Sequence, residues 1–182
     1  NRVVSHTGCP YCYKDRQVSF SEKAVYYYVK KVFDDAEQNA HLDALGSSKI
    51  ELDIWIPSIN TGIEYDGYYL HNKNPERDAN KDAACDKSGI RLIRVREKLC
   101  NDYDKCTAKI IKLDETYGND TLERAIADVL KIINPCSPVD INLRRDQLSI
   151  TELVKTNFVK RSLAVTHPEI AAEWNKKLNG DL

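Results

Sequence analysis

Residues 50–67 read IELDIWIPSINTGIEYDG, and no other stretch limits the fold as much. Branched and aromatic residues alternate with polar ones on both sides of a turn-forming SINTG, which is the pattern of a β-hairpin. Pro57 ends the first strand, because it has no N–H for a ladder. Alternation puts Glu51, Asp53 and Trp55 on one face of that strand and Leu52, Ile54 and Ile56 on the other. In the second strand Glu64 and Asp66 share a face, opposite Ile63 and Tyr65. Asp and Glu are poor strand formers, so a hairpin with this many acids calls for a reason beyond stability.

The neighbouring segments supply the rest of a small fold. Residues 19–33, SFSEKAVYYYVKKVF, form a helix with Val25, Val29, Val32 and Phe33 as its apolar stripe. Ser19 and Glu22 have capping-box spacing. Asn74 and Pro75 open a second helix as cap and first residue, and Gly89 ends it. IRLIRVRE (90–97) is a third strand, and a further strand is expected within 36–45. Residues 100–118 are polar and show no clear element. NDTLERAIADVLKII (119–133) is an amphipathic helix with Leu122, Ala125, Ile126, Val129 and Ile133 on one side. SITELVKTNFVKRSLA (149–164) is another helix. The order predicts an α/β fold, a small mixed sheet flanked by helices, with a helical C-terminal extension.

With 42% hydrophobic and 30% charged residues, the 182-residue chain has enough apolar side chains for a packed core. A net charge of −1 leaves nucleic acid open as a partner, since a local basic face is sufficient. No apolar run reaches membrane-spanning length and no signal peptide is visible. No membrane partner is expected. The expected location is intracellular: cytoplasmic or nucleoid-associated, or nuclear in a eukaryotic or viral setting. The chain opens at Asn1 and has no methionine, so it reads as a piece of a longer protein. Without secretory context its six cysteines read as thiols or metal ligands. Cys85 and Cys136 fit buried structural thiols, and Cys100 and Cys106 form only a loose pair.

Carboxylates held close together resist ionising together, and a hard divalent cation removes that penalty. Asp53, Glu64 and Asp66 on adjacent strands therefore ask for Mg²⁺ or a similar ion. Four residues around the hairpin add to the pattern. Glu22 lies on the apolar stripe of the first helix, and His71 follows the second strand. Asp78 and Lys81 stand three residues apart on one face of the next helix. Each alone is weak: Glu22 also fits a cap, His71 a surface or core filler, and Asp78 an acid favoured by the helix dipole.

The ordered set Glu22, Asp53, Tyr65, His71 and Asp78 resembles the PD-(D/E)XK nuclease superfamily. It is more similar still to the very-short-patch repair branch and to homing endonucleases with a Glu-Asp-x-His-Asp site. The resemblance covers residues 17–98 and implies a restriction-endonuclease-like core. It implies a Mg²⁺- or Mn²⁺-dependent endonuclease acting on DNA, with Asp53 as metal ligand. Glu64, or the backbone carbonyl of Tyr65, would be the second ligand. His71 would be the general base, Asp78 its partner, and Glu22 a residue that orients water or metal. The motif expects a lysine at position 66, where this chain has Asp66, and His71 or Lys81 would take its place. The alternative is a catalytically inactive nucleic-acid-binding module with the same shape.

Lys87, Arg91, Arg94, Arg96 and Lys98 gather on and around the third strand, where they could hold phosphates without reading sequence. At the ends, HTGCPYC (6–12) resembles the closing half of a zinc-ribbon repeat, and residues 162–182 resemble the opening of another. Cys9 and Cys12 would then be half of a tetrahedral Zn²⁺ site, completed by ribbon modules elsewhere in a longer chain. The expected division is 1–16 for the first ribbon piece, 17–135 for the nuclease-like domain, 136–165 for a linker and helix, and 166–182 for the second ribbon piece.

Overall fold

The computed structural model describes residues 19–43, 49–68, 75–103, 106–115, 118–136 and 138–166. The chain divides into two compact units, Asn1–Lys23 with Asp146–Leu182, and Ala24–Arg145. Helix α1 (Phe20–Lys30) starts in the first unit, where the Ser19 hydroxyl accepts the Glu22 N–H at 3.1 Å. The serine half of the expected capping box is therefore in place. Helix α4 (Leu143–Thr166) lies mostly in that unit as well.

The second unit carries the sheet. Its strands are β1 (Glu37–Asp43), β2 (Lys49–Ile56), β3 (Thr61–Asp66), β4 (Arg91–Arg96) and β5 (Lys109–Lys112), in spatial order β1-β2-β3-β4-β5. Strand β2 runs antiparallel to both β1 and β3, while β4 runs parallel to β3 and β5 parallel to β4. The result is an α/β fold with a mixed five-stranded sheet flanked by helices, as the sequence predicts. Strand β1 is the one expected within 36–45. Strand β5 was not expected, because KIIK is short and lies in a polar stretch.

A 3₁₀ turn (Pro57–Ile59) joins β2 to β3, and Asn60 closes it in the left-handed region at φ 47°. Asn tolerates that region better than most side chains. Helix α2 (Pro75–Lys87) brings the chain back for the parallel β4. It ends in a Schellman motif: Ile90 N–H donates to the Cys85 carbonyl at 2.9 Å and Gly89 N–H to the Asp86 carbonyl at 3.0 Å. Gly89 has φ 69°, which is why a glycine ends this helix. The amphipathic helix α3 (Asn119–Ile133) matches its predicted span and buries Leu122, Ala125, Ile126, Val129 and Ile133.

One core cluster joins Ile50, Leu52, Cys85, Ile90 and Leu92, with Trp55 packed against it. Leu52 also lies over the bare Cα of Gly62, where an added Cβ would come within 2.8 Å of Leu52 Cδ1. Strict alternation would send Leu52 and Trp55 to opposite faces, so the simple face assignment for β2 does not hold through Asp53. The register pairs Gln38 with Ile54 and Ala40 with Leu52, which places Asn39 opposite Asp53. Asn39 has φ 50°, so the edge strand breaks its pleat at this point.

Candidate functional site

The β2–β3 ladder pairs Ile56 with Thr61, Trp55 with Gly62 and Ile54 with Ile63, and goes no further. The next residues in register are Asp53 and Glu64, whose carboxylates take over the bonding. Asp53 N–H donates to Glu64 Oε1 at 3.1 Å, and Tyr65 N–H donates to Asp53 Oδ2 at 2.8 Å. The two strands thus open into a fork held by acidic side chains. The sequence places Asp53 and Glu64 on adjacent strands, and the structure brings their carboxylates together at the fork.

Lys81 reaches the fork from α2. Its Nζ lies 2.6 Å from Glu64 Oε2. Glu64 is buried, and its pKa rises from 4.5 to about 7. Burial is the largest cause and the Asp53 carboxylate the next, while Lys81 and Arg94 oppose the rise. The same surroundings push the buried Cys85 thiol up to about 11, again chiefly through desolvation and then through Glu64.

Behind the fork lies a buried ionic layer. Arg94 is fully buried. Its Nε donates to Asp82 Oδ1 at 2.8 Å, its Nη1 to Asp66 Oδ1 at 2.7 Å and its Nη2 to the Asp78 carbonyl at 3.3 Å. The Asp78 carboxylate lies 4.0 Å from the same guanidinium. Arg96 Nε pairs with Asp66 Oδ2 at 3.1 Å, off the axis of a good hydrogen bond. The Tyr103 hydroxyl donates to Asp82 Oδ2 at 2.5 Å, and Arg96 lies over the Tyr103 ring at 4.8 Å. Burial alone would lower the Arg94 pKa, but Asp66, Asp82 and Glu64 outweigh it and raise it. Burial raises the Tyr103 pKa, and the bond to Asp82 adds to this.

Several expected site residues are placed differently. Asp66 is fully buried and bound to Arg94 and Arg96, so it belongs to the ionic layer and not to the fork. Arg94 and Arg96 are buried too, away from the phosphate-facing surface expected for them, because their charges neutralise Asp66 and Asp82. Arg91 and Lys98 are exposed. Glu22 is buried in the first unit and pairs with Lys23 at 2.9 Å. Cys136 is exposed, contrary to its expected burial. His71, Cys9, Cys12 and the ribbon-like segment after Thr166 lie outside the described residues.

Asp82 and Tyr103 were missed in the sequence. A signal for Asp82 was present: Asp78, Lys81, Asp82 and Cys85 follow helical i, i+3, i+4, i+7 spacing, where a docking helix would ordinarily be apolar. Among the described residues no group of three or more His, Cys, Asp or Glu side chains could hold a metal ion. Nor, among them, is any helix long and apolar enough to cross a membrane. No family model, curated protein or solved structure matches the chain.

Proposed function

We propose that the chain is a metal-dependent endonuclease that hydrolyses phosphodiester bonds in DNA at the β2–β3 fork. The observation that carries this reading is the convergence of Asp53, Glu64 and Lys81 where the ladder opens. The order α1-β1-β2-β3-α2-β4 and the mixed sheet support a restriction-endonuclease-like core.

The electrostatics of the fork support a divalent cation. Asp53 and Glu64 stand close enough for the Asp53 carboxylate to raise the Glu64 pKa, and a cation bound by both would relieve that repulsion. Mg²⁺ keeps several waters and is commonly bound through one or two carboxylates, so a two-carboxylate fork suits it. Asp53 and Glu64, with the Tyr65 carbonyl, would hold Mg²⁺ or Mn²⁺. Bound there, the ion would polarise the scissile phosphate. The Lys81 ammonium would stabilise charge developing on the phosphate oxygens. His71 is the proposed general base.

The test is plasmid nicking in Mg²⁺ by wild type, Asp53→Ala, Lys81→Ala and His71→Ala. Each substitution should lower the rate by about a hundredfold or more. Equal cutting by all four proteins would refute the assignment. Salt-dependent DNA binding with no cleavage in Mg²⁺ or Mn²⁺ would favour the inactive binding module.

A further inference from the structure

Helix α2 docks on the sheet largely by charge. Of its inward stripe, Asp78, Lys81, Asp82 and Cys85, three residues are ionisable at neutral pH, and Asp78, Asp82 and Cys85 are buried. Apolar burial is non-directional and leaves a helix free to settle by packing alone. A guanidinium fork is directional, because its donors are fixed in one plane. Arg94 supplies that direction. It joins Asp66 on β3 to Asp82 and the Asp78 carbonyl on α2. Asp82 is held from its other oxygen by Tyr103. Lys81 sits between the two anchor points on α2 and reaches Glu64.

We infer that Arg94 is a positioning residue: by tying the first two turns of α2 to β3, it sets the Lys81 ammonium against Glu64. The claim concerns where Lys81 stands. Only its consequence for turnover rests on the endonuclease reading, in which a loosened Lys81 lowers kcat and leaves DNA affinity unchanged.

The experiment is ¹⁵N-detected NMR of lysine Nζ groups in the folded protein, with Lys81→Arg used to assign the Lys81 signal. Wild type should show a slowly exchanging Lys81 ammonium. In Asp82→Asn and Arg94→Lys that exchange should be at least about tenfold faster, as expected for loss of one charge-assisted hydrogen bond. Amide dispersion in the same samples reports whether the sheet stays folded. An unchanged Lys81 signal in a folded variant would overturn the positioning role, and no slow Lys81 signal in wild type would overturn the contact itself. Should Arg94→Lys fail to fold, Asp82→Asn decides alone, since it retains Arg94 and its bond to Asp66. Faster Lys81 exchange together with no nicking by wild type would retire the endonuclease reading and keep the positioning claim.

Discussion

Replacing Glu64 with Gln tests the electrostatics of the fork directly. The Glu64 carboxyl ionises near 4.5 in the unfolded chain and near 7 in the fold, because burial and Asp53 disfavour its charged form. Below the lower value both states hold the proton, and the group does not affect stability. Between the two values the unfolded chain has released the proton while the folded chain retains it. Stability therefore falls as pH rises through this window and levels off above about 7. A gap of this size corresponds to about 3 kcal/mol. Glutamine has no such proton, so the difference between Glu64→Gln and wild type should move in the variant's favour by about 3 kcal/mol from acid to neutral pH. Loss of the charged partner of Lys81 shifts the variant's curve without changing this slope. The assay is urea unfolding, followed by circular dichroism across that pH range. Parallel curves for the two proteins would refute the reasoning, since Glu64 would then ionise as an ordinary exposed carboxylate.

Substitutions at four other positions probe the frame around the fork. Gly62→Ala puts a Cβ 2.8 Å from Leu52 Cδ1 and 3.3 Å from Leu92 Cδ1, and should cost roughly 1–3 kcal/mol of stability by urea unfolding. Arg94→Met leaves Asp66 and Asp82 buried without their main partner and should cost about 3–5 kcal/mol. By contrast, the exposed Arg91→Ala should stay within about 0.5 kcal/mol of wild type; in the proposed endonuclease reading it should also weaken DNA binding and lower its salt slope by about one. Asn39→Val puts a β-branched residue at φ 50° and should lose about 1–3 kcal/mol in thermal unfolding, whereas Asn39→Gly should be tolerated.

The hairpin was legible because it is written twice, once in alternation and once in the SINTG turn. The placement of Asp53 and Glu64 on adjacent strands followed from it. The fork did not follow. Alternation assumes a continuous ladder, and here the ladder stops where two side chains replace backbone partners. The left-handed Asn39 opposite Asp53 is a tertiary feature with no local pattern. Strand β5 was hidden because four residues in a polar stretch are defined by pairing with β4 more than by their own sequence. Arg94 and Arg96 were misplaced for a related reason. A parallel strand inside a helix-flanked sheet is covered on both faces, so its arginines turn inward wherever carboxylates wait for them.

Asp66 sits where the nuclease motif of the proposed reading has a lysine, and the ionic layer opposes reversing that exchange by one mutation. A buried carboxylate without cations costs several kcal/mol. Asp66 has two cations, Arg94 and Arg96. Together they overcompensate by one charge, and Asp82 restores neutrality. Asp53 and Glu64 stand apart from this layer at the fork, where Lys81 meets Glu64. In the proposed reading, Lys81 on α2 would take the place of that lysine, meeting Glu64 at 2.6 Å. Asp66→Lys would restore the motif as written, yet it would set a third cation against two buried guanidinium groups. It should lose at least about 3–5 kcal/mol of stability in urea. It should also fail to rescue nicking when combined with Lys81→Ala, because position 66 lies in the layer behind the fork. A stable and active Asp66→Lys, Lys81→Ala protein would mean that the two positions are interchangeable, and that the ionic layer has no part in placing the cation.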